Sequence, residues 1–201
     1  MMKLFPALLL LALPAFAQAS VSDEIAAIEA AKAQNPPQLL PGFPTGPLAK
    51  VPHPMTLQDG RRVDLNDYAL VVFMQQHCEY SAKYDPKLKS WADTNGMKVY
   101  PYTLDGNGDA SFPNPLVPRK AGPDEPLAGE IMTFFGNGLP IATPTTFMVN
   151  VNTNAAYPLI QGDTDMATLS TRIAQMIEAD LDHVSAERFG PVPSGQGMTP
   201  Q

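Results

Sequence analysis

The chain has 201 residues, 44% of them hydrophobic, which suits one packed domain with appendages. Its net charge is -7 and no basic stripe tracks a phosphate backbone, which argues against nucleic acid as a partner. The 22 prolines, about twice the usual share, mean that part of the chain is extended rather than packed.

Residues 1–19 read as a secretory signal. Lys3 supplies a positive charge, an apolar core runs from Leu4 to Phe16, and Ala15-Phe16-Ala17 and Ala17-Gln18-Ala19 fit small-x-small cleavage. The core is too short for a stable membrane span, and cleavage leaves none. The mature chain is then expected in an oxidising compartment. Residues 20–54 hold a short helix, Ser22 to Ala33, with Asp23 and Glu24 in its first turn. A linker from Asn35 to Pro54 follows, seven of its twenty residues proline.

A globular domain is expected over residues 55–183. Asp59-Gly60 between short alternating segments predicts a hairpin. Ala69 to Met74, ALVVFM, is an apolar run of β-formers, which suits a strand buried on both faces. A helix is expected from Cys78 to Asn95, with Tyr80, Tyr84, Leu88 and Trp91 on one apolar face, a kink at Pro86 and a stop at Gly96. Met97 to Leu104 is a further strand, weakened by Pro101. Asp105 to Pro126 is a polar loop and Leu127 to Phe135 a short helix. Thr145 to Val151 and Ala155 to Gln161 alternate around Asn152-Thr153-Asn154 and predict a second hairpin. Asp163 is the expected cap of a last helix reaching His183, with Met166, Leu169, Ile173, Met176, Ile177 and Leu181 as its apolar stripe. Residues 184–201 are expected to be a disordered tail. The order β-α-β, then a helix, then β-β-α predicts an α/β fold with a mixed central sheet flanked by helices.

The chemistry centres on Cys78, the only cysteine. A thiol on the first turn of a helix after a buried strand faces unpaired N–H groups and the helix dipole, both of which favour thiolate. The thiolate is the form that attacks a disulfide. His77 adds positive charge when protonated, although a surface role is the simpler reading. Thr143-Pro144 precedes a strand, where a proline, in cis or trans, leaves nearby backbone free to pair with an extended peptide. No metal site is expected: His77-Cys78, His53 and His183 have no diagnostic spacing, and Asp105 to Asp109 lacks a calcium loop's twelfth-position glutamate, where Leu116 stands. No cofactor is implied. A cysteine hydrolase would need a base and an orienting acid, and neither is evident.

The order of elements resembles the thioredoxin fold. The stretches VVFMQQHCEYSAKYDPKL, VYPYTLDGNGD, FFGNGLPIATPTTFMVNVNT and PLIQGDTD resemble the TrbB-type thiol-disulfide isomerases of F-type conjugative transfer systems, over roughly Met55 to Ile177. The resemblance implies a periplasmic protein that acts on disulfide-containing proteins of the conjugation apparatus; with one cysteine in the chain, an external thiol or disulfide is the expected redox partner. The resemblance also implies that Cys78 is the nucleophile, that Glu79 and Tyr80 are the residues between two cysteines, and that Thr143 and Pro144 form the substrate-facing loop; His77, from its place beside the cysteine, is a further expected substrate-binding residue. The family motif is C-x-Y-C, whereas this chain reads C-E-Y-S, so Ser81 stands where the second, resolving cysteine belongs. A single thiol can still form a mixed disulfide and isomerise a substrate, but cannot exchange electrons through its own dithiol. Ser81 can donate a hydrogen bond to the Cys78 thiolate. The alternative reading is a redox-degenerate binding or chaperone factor for envelope assembly proteins.

Overall fold

The computed structural model describes residues 50–120 and 122–195. The expected signal, first helix and most of the proline-rich linker lie outside the described residues, as do residues 196–201. The chain divides into residues 1–50 and 51–201, and the architecture below is that of the second unit.

A small hairpin comes first. β1 (Pro54–Thr56) pairs antiparallel with β2 (Arg62–Asp64) around the Asp59-Gly60 turn, where Gly60 takes φ +87°. The turn has the left-handed backbone that glycine adopts without steric cost. β3 (Tyr68–Met74) follows and is buried along its whole length. α1 (Glu79–Asn95) then leads to β4 (Lys98–Thr103), and α2 (Gly129–Phe135) precedes the hairpin of β5 (Thr145–Asn150) and β6 (Ala156–Gln161). α3 (Met166–Leu181) completes the main elements.

The main sheet has the order β4-β3-β5-β6. β3 runs parallel to β4 and antiparallel to β5, and β5 runs antiparallel to β6. Central β3 is therefore buried on both faces, as its unbroken apolar run requires. Alternation of period two sends Leu70 and Val72 to one side, against Tyr84, Leu88 and Ala92 of α1 and Leu169, Ile173, Met176 and Ile177 of α3. Val71 and Phe73 go to the other side, against Ile131 and Phe135 of α2 and Phe147 of β5. The Phe73 ring lies 4.9 to 5.9 Å from those of Tyr102, Phe134, Phe135 and Phe147. Each such buried side chain contributes about 1.5–3 kcal/mol. A β-α-β unit joined to an antiparallel hairpin and a last helix, with helices on both faces, is a thioredoxin-like fold.

Local chemistry explains the boundaries. Gly96 ends α1 at φ +70°, and the His53 ring sits 2.2 Å from where a Cβ would stand, so a side chain there meets both strain and a clash. α1 runs unbroken through Pro86, which removes the bond to the Ala82 carbonyl. Pro101 is tolerated because β4 is an edge strand: its carbonyl faces outward to the Leu116 N–H at 2.7 Å, so its missing N–H also falls on the outer edge.

Several expectations are corrected. The buried face of α1 is Ser81, Tyr84, Asp85, Leu88 and Ala92, with Tyr80 and Trp91 half-buried at its margins. The cap of α3 is Asp165, whose Oδ1 accepts from the Thr168 N–H at 2.8 Å, while Asp163 pairs with Lys87 of α1. Both aspartates precede the helix, but Asp165 has the extended backbone an N-cap needs. The segment from Val184 is structured as far as Gly195. A 3-10 turn, Ala186–Phe189, lays Phe189 against the core. Beyond it the Gln161 N–H donates to the Pro193 carbonyl, and the Gly195 N–H donates to the Gln161 carbonyl at 2.6 Å. This short segment runs parallel to β6 along its outer edge.

At the foot of the sheet, buried Asp180 of α3 accepts from Tyr68 Oη at 3.0 Å, Tyr157 Oη at 2.7 Å and Asn150 Nδ2 at 2.6 Å. These bonds tie α3 to β3, β5 and β6. Among the described residues, no helix is long and apolar enough to cross a membrane.

Candidate active site

β3 ends at Met74 and the chain turns through Gln75, Gln76 and His77 to Cys78. The Cys78 N–H donates to the Gln75 carbonyl at 3.2 Å, and the Ala82 N–H donates to the Cys78 carbonyl at 3.0 Å. Cys78 is thus the N-cap of α1 (φ -84°, ψ 118°), but its side chain makes no capping bond and is left to the site. Asp105, just after β4, fixes the turn: Oδ2 accepts from the Gln76 N–H at 2.9 Å and Oδ1 from the Thr103 hydroxyl at 2.8 Å.

The loop before β5 forms the facing wall. The Thr143-Pro144 peptide bond is cis, and the Thr143 carbonyl lies 3.3 Å from Cys78 Sγ, where the thiol proton is donated to it. Pro144 is buried and its carbonyl accepts from the Gly162 N–H at 2.7 Å. Gln161 Nε2 donates to the Pro140 carbonyl at 2.8 Å and Thr145 Oγ1 at 3.1 Å. The loop is therefore anchored on β6 before it reaches the cysteine.

Cys78 is half-buried. Burial pushes its thiol up, but hydrogen bonds from the Ser81 N–H, the Thr143 side chain, the Ser81 hydroxyl and the Tyr80 N–H together hold it below the ordinary thiol value. These donors are what a free helix N-terminus offers to an anion. The arrangement favours a thiolate at an accessible position.

Of the expected site residues, Cys78, Ser81, Thr143 and Pro144 come together, and Tyr80 contributes its backbone. Ser81 is fully buried, and its Oγ accepts from the Gln75 N–H at 3.4 Å. The His77 and Glu79 side chains are exposed and are not among the groups that meet Sγ. Glu79 pairs with Lys83 one turn on, and the Lys83 ammonium lies 5.5 Å from the centre of the Tyr80 ring. Glu79, Tyr80 and Lys83 are thus a surface patch beside the thiol. Among the described residues, no group of three or more His, Cys, Asp or Glu side chains is arranged to hold a metal.

Two residues escaped sequence reasoning. Gln75 donates its N–H to Ser81, accepts at its carbonyl from Cys78, and meets the Thr143 hydroxyl at 2.8 Å through its side chain. Asp85 lies fully buried on the face of α1 one turn beyond Ser81, and neither carboxyl oxygen makes a hydrogen bond of ordinary geometry. Burial, the neighbouring Asp109 carboxylate and the charge of Cys78 raise it to about 8. Asp109 is close enough to share a proton with it, which two carboxylates can do only when one is protonated. No sequence signal marked Asp85, because it stands between Lys83 and Lys87 and reads as part of a solvated face.

The chain is similar to several known proteins. A thioredoxin-related protein from Neisseria meningitidis serogroup B is 15% identical with a TM-score of 0.37, over 55% of this chain and 86% of that one. The thioredoxin domain of a thiol-disulfide oxidoreductase from Bacteroides vulgatus is 15% identical with a TM-score of 0.38, over 64% and 99%. Protein TrbB of Escherichia coli (strain K12) is 40% identical over 163 residues, 80% of this chain and 85% of TrbB. The model of the family described as "TraF: F plasmid transfer operon protein" matches residues 64–174, from β2 into α3. Matched over more than half its length by that model and over four-fifths of it by TrbB, the chain belongs to the TraF family of F plasmid transfer operon proteins.

Proposed function

We propose that the protein is a periplasmic thiol-disulfide isomerase of a conjugative transfer system, acting through Cys78 alone. The observation that carries this reading is the placement of Cys78 Sγ, between the N–H groups that open α1 and the loop of cis-Pro144. Family membership and the 40% identity to TrbB support the conjugative setting. The Cys78 thiolate attacks a substrate disulfide, a mixed disulfide forms, and the other substrate sulfur leaves as thiolate. That thiolate, or a second one in the substrate, then attacks a different disulfide. When the mixed disulfide is finally attacked by a substrate thiolate, Cys78 is regenerated. No electron is gained or lost, so no second protein thiol is required. Net oxidation or reduction draws instead on an external thiol or disulfide such as glutathione. Ser81 serves as a hydrogen-bond donor to the thiolate rather than as a resolving group. Thr143 and Pro144 face the substrate, with the Tyr80 patch beside them.

The test is recovery of activity by a scrambled-disulfide test protein in a glutathione buffer, with non-reducing gels and intact mass for the adduct. Recovery should accelerate with this chain and lose the acceleration with Cys78→Ser. Acceleration that survives Cys78→Ser refutes the isomerase. A second reading, a redox-degenerate binding factor for envelope assembly proteins, is favoured by the buried Ser81 at the second-cysteine position. It requires that Cys78→Ser leave the protein's contribution to conjugation intact.

A further inference from the structure

We infer that Gln75 is a positioning residue for the reactive thiol, its amide switching the Thr143 hydroxyl between two partners as Cys78 gains and loses its proton. The inference rests on the proposed role of Cys78 as nucleophile and adds a residue that the resemblance does not supply.

The geometry makes Gln75 the junction of the site. Its N–H is given to Ser81 Oγ, its carbonyl accepts from the Cys78 N–H, and its side-chain amide meets the Thr143 hydroxyl. It thus touches the cysteine, the residue that replaces the second cysteine, and the residue before cis-Pro144. The bond to Ser81 has a direction that matters. A serine hydroxyl has one proton to give. Because Ser81 Oγ accepts from Gln75, that proton is left for the thiolate.

Thr143 presents the harder problem. In the thiol state the S–H donates to the Thr143 carbonyl, and the Thr143 hydroxyl donates to Gln75 Oε1 at 2.8 Å. When the thiol ionises, the carbonyl loses its donor and Sγ requires donors. The Thr143 hydroxyl can turn to Sγ only if its oxygen is still satisfied from the other side. A glutamine amide can do this. Turned about its last torsion, it presents Nε2 as a donor where Oε1 had accepted. A carboxylate of the same shape cannot, because it only accepts. It would hold the hydroxyl proton away from sulfur and add a like charge.

Of the charged groups nearby, Asp85 on α1 couples to the Cys78 charge with Asp109 behind it, Asp105 holds the backbone of the turn, and the exposed His77 precedes the cysteine. The variants below leave all four unchanged.

The experiment is the rate of Cys78 alkylation by iodoacetamide from pH 4 to 10, at fixed ionic strength, read by intact mass on the full chain. Gln75→Glu should raise the midpoint by about one pH unit, a tenfold loss of thiolate at a fixed lower pH. The same substitution in a Thr143→Val background should move the midpoint by less than half as much, because the hydroxyl it works through is gone. In a Thr143→Ser background the full shift should return. Thermal melts by circular dichroism establish folding, and Thr143→Ala replaces Thr143→Val if the latter unfolds. Equal Gln75→Glu shifts with and without the hydroxyl would mean that charge alone acts, and would overturn the switch while leaving the proposed function standing. A wild-type Cys78 that does not react in the folded protein would overturn both.

Discussion

Replacing Asp85 by asparagine should stabilise this protein, and the gain should depend on pH in a defined way. A carboxyl whose folded pKa is raised is protonated in the folded state while the unfolded chain has already ionised. For Asp85 the window runs from its ordinary value of 3.8 to about 8. Below the window both states hold the proton and the group is neutral to stability. Across it, stability falls by about 1.4 kcal/mol per pH unit. At pH 7, roughly three units into the window, the loss reaches about 4 kcal/mol as an upper bound. Asparagine keeps the shape and removes the ionisation. Its own unpaired amide costs about 1–3 kcal/mol, but equally at every pH. The slope of the difference is therefore diagnostic, not its offset. Urea unfolding, followed through the single tryptophan, Trp91 of α1, gives the measurement at pH 4.5, 6, 7 and 8. The stability of Asp85→Asn relative to wild type should rise with pH between the ends, by up to about 4 kcal/mol, a midpoint shift on the order of 1 M at ordinary m-values. A difference flat with pH would refute the argument and show that Asp85 is solvated or paired in solution.

Other substitutions test the remaining assignments. Ser81→Ala should slow Cys78 alkylation at pH 6 several-fold by removing a donor to the thiolate, whereas an unchanged rate would take Ser81 out of the site. Ser81→Cys should create a dithiol that oxidised glutathione closes to an internal disulfide, seen as a loss of two mass units and of both reactive thiols. Asp180→Ala strips the shared acceptor from Tyr68, Tyr157 and Asn150 and should cost about 3 kcal/mol in urea unfolding. Phe73→Ala empties the centre of the aromatic cluster and should cost about 3–5 kcal/mol without altering the alkylation midpoint of Cys78.

Much of the fold was legible because backbone and burial demands coincide with residue type. ALVVFM suits a strand covered on both sides, Asp59-Gly60 suits a turn and Gly96 suits a helix stop, and each stands there in the fold. The cysteine and the proline loop were legible as chemistry for the same reason, since a thiol after a buried strand and a proline before another are rare placements. What was missed depends on tertiary placement that spacing does not encode. Asp85 reads as a surface residue because it is a carboxylate flanked two residues away on each side by Lys83 and Lys87, and only the packing of α1 on the sheet turns it inward. Gln75 reads as loop polarity because its partners lie 6 and 68 residues away. Asp163 and Asp165 are equivalent as letters, and their partners distinguish them: Asp165 accepts from the Thr168 N–H, whereas Asp163 pairs with Lys87. The structure of residues 184–195 was not legible because proline and glycine signal disorder, whereas the pairing with β6 uses backbone groups that leave no side-chain signature.

That pairing has a consequence for how the molecule keeps to itself. A sheet of four strands has two rims, and each is a row of unmet donors and acceptors that invites another chain to add on. Here each rim is met from within at one end, Tyr102 of β4 by Leu116 and Gln161 of β6 by Ser194. The last described residues therefore stand at the Gln161 end of β6, where a foreign strand would otherwise begin to pair. A purification handle fused there, or a cut after His183, is not a neutral edit, because it bares the Gln161 N–H and carbonyl that residues 193–195 satisfy.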